Sequence, residues 1–225
     1  MRLEKFNYVD ACETGLKPGK VVCVGRNYLE HIQELNNEPA DEAVLFIKPS
    51  TALVHCEGKI ELPADKGAVH HELELSLLIG DRLCYATLPQ CFEAIAGYGL
   101  ALDLTLRELQ TRLKNKGLPW ERAKAFDASC PITPFVRCDK DFQEQHEFSM
   151  LVNGKLRQSG DTKLMIRSMA NLLAEISRWF TLEPGDVVLT GTPAGVAELK
   201  EGDELQLTLD NTHYWQTKVQ IGLMK

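Results

Sequence analysis

Residues 70–79 read His70-His71-Glu72-Leu73-Glu74-Leu75-Ser76-Leu77-Leu78-Ile79. Leu73, Leu75 and Leu77 alternate with Glu72, Glu74 and Ser76, and a period of two marks a β-strand, with Glu72 and Glu74 on one face and the leucines on the other. Working outward, Val21–Val24, Val44–Ile47 and Leu100–Leu104 read as short buried strands, and residues 186–190, 204–209 and 215–221 are strand-like stretches divided by turn residues. Phe148–Val152 and Lys155–Gln158 flank Asn153-Gly154, the strongest local hairpin signal. Three helices are expected. One is short, over residues 27–35. A second opens on the T-x-x-E capping box of Thr105 and Glu108, runs towards Asn115 and has Gly117 beyond its end. The third lies at about 165–180, with Leu172, Leu173, Ile176 and Trp179 on its apolar stripe and Trp179 and Phe180 in the core. Strands outnumber helices and long crossovers are few, so the expected class is α+β, mostly β, rather than a periodic βαβ fold.

The chain has 225 residues, 44% of them hydrophobic and 25% charged, a globular composition with enough length for a substantial core. Its 25 basic and 32 acidic residues give −7, which argues against a nucleic-acid module and leaves carboxylates available to hold a cation. Seven cysteines, an odd count without a C-x-x-C pair, read as free thiols in a reducing compartment. No apolar run approaches the length of a membrane span, and Met1-Arg2-Leu3-Glu4-Lys5 lacks the apolar region of a signal peptide. The expectation is a soluble cytoplasmic protein with no membrane or nucleic-acid partner. With no linker in sight, it divides into a short N-terminal segment (1–20) and one domain (21–225).

Several residues stand out chemically. Glutamates two apart on a strand lie about 6–7 Å apart along it. They are either an ordinary solvent-facing edge, the commoner case, or a buried pair that needs a cation between its charges. Asp103, in Ala101-Leu102-Asp103-Leu104, sits in an apolar strand end, where an acid either caps a turn or is paired. With Glu72 and Glu74 it would make an all-oxygen site suited to Mg²⁺ or Mn²⁺, although spacing alone does not bring the three together. His31 and Glu34, three apart, share a helix face, which lets a carboxylate orient an imidazole as a general base requires. Thr190-Gly191-Thr192-Pro193-Ala194-Gly195 is either a plain turn or a loop offering backbone N–H and hydroxyl donors to an anion.

In chain order, the pieces are Val24-Gly25-Arg26-Asn27-Tyr28 with His31 and Glu34, Phe46-Ile47-Lys48-Pro49-Ser50, His71-Glu72-Leu73-Glu74, Asp103, Gly117-Leu118-Pro119-Trp120 with Lys124, and Thr190-Gly191-Thr192-Pro193. Together they resemble the fumarylacetoacetate hydrolase family over nearly the whole chain, with Ala123-Lys124-Ala125-Phe126-Asp127 and Cys130-Pro131 closest to its single-domain acylpyruvase and oxaloacetate decarboxylase branch. The resemblance implies a mixed β-sandwich roll of that family's C-terminal-domain type, usually a homodimer. It also implies Mg²⁺ or Mn²⁺ held by Glu72, Glu74 and Asp103, and a water-activating dyad of His31 and Glu34. Lys124 would face the substrate's carbonyl and enolate oxygens. Arg26, Arg107, Gln110 and Thr192 would line the substrate pocket, Thr192 at the substrate carboxylate. The implied activity is C–C cleavage of acylpyruvates to pyruvate and a carboxylic acid, decarboxylation of oxaloacetate, or both. The alternatives are an isomerase, acting on oxaloacetate or an unsaturated 2-oxo dioate, and a non-catalytic metal-binding protein.

Overall fold

The computed structural model describes residues 3–34, 42–139 and 142–222. Its centre is an eight-stranded sheet. Across it lie Val44–Lys48, Val21–Gly25, Val187–Leu189, Leu73–Ile79, Ile95–Leu102, Cys130–Ile132 and Leu53–His55, with Val136–Arg137 also paired to Ile95–Leu102. A second sheet orders Lys155–Asp161, Glu147–Val152, Glu204–Leu209, His213–Gly222 and Gly58–Pro63, and a third, small one orders Ala197–Glu198, Val69–His71 and Thr105–Leu106. The protein is therefore mostly β, with curled sheets and few helices, as the sequence leads one to expect.

Alternation along the strands separates two cores. Val22, Val24, Leu73, Leu75 and Leu77 pack with Phe148, Met150, Leu205 and Leu207 of the second sheet and with Leu172, Leu173 and Ile176 of the Met169–Trp179 helix. Val21, Cys23, Leu78, Val187 and Leu189 face the other way, onto Leu3, Phe6 and Phe135. Glu74 and Ser76 share a strand face with Leu78, so the glutamate face is covered by protein and the solvent-facing reading of this strand fails.

Strand direction decides what gathers at one sheet end. Val21–Gly25 and Val187–Leu189 run parallel, so Arg26 and the 190–195 loop emerge together. Leu73–Ile79 is antiparallel to Val187–Leu189, which brings the start of that strand, with Glu72 and Glu74, to the same end. Ile95–Leu102 is antiparallel in turn, pairing Leu102 with Leu73 and delivering Asp103 beside Glu72, whose carbonyl accepts the Asp103 N–H at 2.8 Å.

Local expectations hold where local chemistry governs. Asn153 and Gly154 both have positive φ (52° and 74°) and close the hairpin. The first helix spans Leu29–Glu34; Leu35 lies outside the described residues. Four expectations need correction. The strand expected from Glu72 to Ile79 begins at Leu73, and Glu72 lies between it and the separate strand Val69–His71. Thr105 does not cap the next helix: it pairs with His70 and donates its hydroxyl to Asp103 O, and the helix spans Arg107–Asn115. The long helix starts at Met169, because the N–H groups of Ile166 and Arg167 bond to Asn27, leaving Ser168 as the N-cap. Trp179, expected in the core, is 68% exposed, while Phe180 packs against the core instead. All seven cysteines are free thiols, and no helix among the described residues is long and apolar enough to cross a membrane.

Candidate active site

Glu72, Glu74 and Asp103 are all buried and each offers an oxygen within 4.8 Å of the others. Lys124, on the short helix Glu121–Lys124, bridges two of them, donating to Glu72 Oε2 at 2.7 Å and to Asp103 Oδ2 at 2.6 Å. Arg107 donates from Nη2 to Glu72 Oε1 and from Nη1 to Gln110 Oε1 at 2.7 Å, one helical turn on. Lys48, fully buried at the end of its strand, lies 2.9 Å from Asp103 Oδ1, off the line of a hydrogen bond. Its Nζ also donates to the carbonyls of Lys124 and, at 3.0 Å, Ser129, and to Ser129 Oγ at 3.0 Å. Glu74 is held from the loop side, accepting the Gly191 N–H at 2.6 Å.

The electrostatics are uneven. Burial raises the Glu72 carboxyl, but Lys124 and Arg107 overcome it and hold the group below the usual carboxylate range. Glu74 is pushed well above that range by burial, and further by Asp103 and Glu72; Lys124 and the Gly191 N–H offset this only in part. Lys124 loses to burial but gains more from Asp103 and Glu72, which hold it charged. Three buried carboxylates from two neighbouring strand ends, all hard oxygen donors, fit a hard divalent cation such as Mg²⁺ or Mn²⁺, which would offset the repulsion that Glu74 feels.

His31 is buried on the first helix, and its Nδ1 lies 3.1 Å from Glu34 Oε2. With Nδ1–H donated to the carboxylate, Nε2 is left as the basic nitrogen. The other Glu34 oxygen accepts the Gly195 N–H at 2.9 Å. The 190–195 loop thus offers backbone donors to anions, and the anions are the protein's own Glu74 and Glu34. Thr192 is tied down as well: its hydroxyl donates to Leu73 O at 2.8 Å and accepts from Gln158 Nε2 at 2.8 Å, while Gln158 Oε1 accepts the Leu73 N–H and pairs with His71 Nδ1.

A single cavity of about 140 Å³ touches the triad, His31, Lys124, Arg26, Arg107, Gln110 and Thr192. Of the ten residues singled out from sequence, only Glu34 is not on its wall, and it acts through His31. Sequence reading gave no separate role to Lys48, Gln158, Phe46, Trp120 or Lys114. The first carried a signal, a lysine closing the apolar strand Val44–Ile47; the others are distinguished only by where the fold puts them.

Comparison with known proteins agrees with this geometry. The model of the fumarylacetoacetate (FAA) hydrolase C-terminal family matches residues 20–220. The chain is 50% identical over 202 residues to oxaloacetate tautomerase YcgM of Escherichia coli (strain K12), covering 89% of this chain and 92% of that protein. It is 44% identical over 188 residues to the human mitochondrial oxaloacetate tautomerase FAHD1, covering 83% and 85%. The crystal structure of fumarylpyruvate hydrolase from Pseudomonas aeruginosa in complex with Mn²⁺ and pyruvate has a TM-score of 0.91 and 33% identity, covering 99% of this chain and 97% of that one. Sequence, fold and buried triad converge, and the chain belongs to the fumarylacetoacetate hydrolase family.

Proposed function

We propose that this protein is a divalent-metal-dependent enzyme of small 2-oxo acids, and that its principal reaction is the keto–enol tautomerisation of oxaloacetate. The observation that carries the reading is the meeting of a carboxylate triad, a charged lysine and an oriented imidazole in one small cavity. The names of the relatives at 50% and 44% identity support the choice of reaction. Its volume suits a substrate of few heavy atoms, well below the roughly 300–1,000 Å³ of drug-sized pockets.

Glu72, Glu74 and Asp103 would hold the cation, which supplies Lewis-acid polarisation of the substrate's 2-oxygen. Lys124, fixed on Glu72 and Asp103, adds positive charge to the same wall, where it stabilises negative charge developing on that oxygen. His31 exchanges the proton through Nε2, taking it from C3 and returning it to the 2-oxygen, or the reverse. Glu34, itself fixed by the Gly195 N–H, keeps the ring in the working tautomer.

The same dyad supports a second reading. An imidazole held by a carboxylate is suited to drawing a proton from water, and hydroxide delivered to the distal carbonyl of an acylpyruvate would cleave it to pyruvate and a carboxylic acid. The likeness to a fumarylpyruvate hydrolase favours keeping this reading. Oxaloacetate decarboxylation needs no such water and would share the charge-stabilising half of the site.

The test is NMR-monitored turnover in Mg²⁺ or Mn²⁺, with enol oxaloacetate and acetylpyruvate offered separately. Enol-to-keto conversion above the uncatalysed rate, abolished by EDTA and slowed at least about 100-fold in His31→Ala, is the expected result, the lower end of what general acid–base catalysis contributes. Pyruvate from acetylpyruvate without accelerated tautomerisation would replace the first reading by the second. Inertness towards both acids would end both.

A further inference from the structure

Alternation along Lys155–Asp161 turns Gln158 inward, where a core calls for an apolar side chain, and Gln158 is buried at 1% exposure. A buried amide is tolerated only when its donors and its acceptor are taken. Here all of them are. Its Oε1 accepts the Leu73 N–H at 2.9 Å and pairs with His71 Nδ1 at 2.8 Å, while Nε2 donates to Thr192 Oγ1 at 2.8 Å and to Pro193 O at 2.9 Å. The neighbours fix which way the amide points, because a backbone N–H can only donate and a carbonyl can only accept.

These bonds close on Leu73, the residue between Glu72 and Glu74. The ladder between Leu73–Ile79 and Val187–Leu189 reaches only to Ser76, and the Thr190 N–H extends it to Leu75 O at 3.1 Å. From there side chains replace the strand. Gln158 takes the Leu73 N–H, and Thr192, itself held by Gln158, donates its hydroxyl to the Leu73 carbonyl at 2.8 Å. The peptide unit that carries the Leu73 N–H also carries the Glu72 carbonyl, which accepts the Asp103 N–H at 2.8 Å. One peptide plane thus joins the Gln158 amide to the backbone of Glu72 and Asp103, and the next leads into Glu74. The tilt of these planes sets the spacing and angle at which the three carboxylates meet.

We propose that Gln158 is a positioning residue for the triad: it fixes the peptide planes on either side of Leu73, and through them the bite of Glu72, Glu74 and Asp103 on a divalent cation. The inference rests on the reading of the triad as a metal site and names what holds that site in shape. It gives the second sheet, which supplies none of the three carboxylates, a part in the centre.

The test is a Mn²⁺ titration of the full chain, read from the electron paramagnetic resonance signal of the free ion, which needs no turnover. It compares wild type, Gln158→Met, Thr192→Val, Thr192→Ser and Met150→Ala. Gln158→Met keeps the side chain's length but removes its four bonds, and is expected to weaken Mn²⁺ binding about 10- to 100-fold, the usual loss when the hydrogen bonds behind a metal ligand go. Thr192→Val strips the clamp from the Leu73 carbonyl at nearly constant shape and is expected to weaken binding in the same direction. Thr192→Ser, which keeps the hydroxyl, restores wild-type affinity. Met150→Ala truncates the buried core residue that pairs with Gln158 on the neighbouring strand, so it destabilises the fold and spares the clamp. It is expected to keep the wild-type Kd. Wild-type affinity in Gln158→Met, or in Thr192→Val should Gln158→Met not fold, overturns the assignment and leaves the metal reading standing. Equal weakening in Met150→Ala overturns it as well, since any loss of packing would then do the same. Wild type that binds no Mn²⁺ removes the metal reading and this inference with it.

Discussion

At the scale of single residues, the least expected is Lys48. A lysine with no solvent exposure is tolerated only when its charge is matched and its N–H groups are taken, and here Asp103, Ser129 and the Lys124 carbonyl do both. It ties Asp103, at one strand end, to the segment that carries Lys124, so it acts as a positioning residue beneath the triad. Lys48→Met keeps the side chain's length but strips Asp103 of a counter-charge and leaves buried acceptors unpaired. We expect it to lower unfolding stability by about 3–5 kcal/mol in urea titrations, the usual cost of breaking a buried pair from one side. Lys59→Met is the comparison, since its partner Glu61 also lies close, at 2.7 Å, but both are exposed. That change is expected to cost less than about 1 kcal/mol. Equal losses in the two variants would show that Lys48 is not the keystone its surroundings suggest.

At the scale of elements, the 190–195 loop is the part of the site most dependent on backbone geometry. Gly191 and Gly195 hold φ of 101° and 100°, values that L side chains rarely adopt, and their N–H groups secure Glu74 and Glu34. A Cβ on Gly195 would also overlap the Arg157 carbonyl, whereas one on Gly202, at φ 84°, meets nothing within 4 Å. Gly195→Ala is therefore expected to cost at least about 1–3 kcal/mol and to depress turnover well beyond Gly202→Ala, because it also displaces the donor that sets Glu34. Turnover equal in the two variants, once corrected for folded fraction, would mean that Glu34 needs no such anchor. Elements also mark what the sequence makes legible. The Asn153-Gly154 hairpin and the Leu172–Ile176 stripe are visible because turn chemistry and helical period are local. The Thr105 capping box misleads because a non-local pairing with Val69–His71 takes that backbone first. The triad residues could be nominated from their types and from family resemblance. Their convergence could not, since it depends on strand directions and on the register that sets Leu102 against Leu73.

At the scale of the whole molecule, the site is a seam. Glu72 lies where the small sheet passes into the large one, Glu74 lies within the large sheet, and Asp103 follows the neighbouring strand. The three oxygens meet only in the folded chain, so a cation bound there adds its binding energy to folding. At a free concentration about 100 times its Kd, that is about 2.7 kcal/mol. For a chain of this size it raises Tm by roughly 5–10 °C. The sign should invert in Glu74→Gln. Without metal, the substitution removes one of three like charges from a buried cluster and keeps an oxygen for the Gly191 N–H, so the variant is expected to melt at or above the wild-type temperature in EDTA. With Mg²⁺ or Mn²⁺ it should gain little, and the order of the two proteins should cross. Calorimetric scans of both proteins, with and without metal, read this directly. A wild-type Tm indifferent to metal, or a Glu74→Gln protein that responds as strongly as wild type, would mean that the carboxylates balance their charge with Lys48, Lys124 and Arg107 alone and that the centre is an ion-pair network without a metal role.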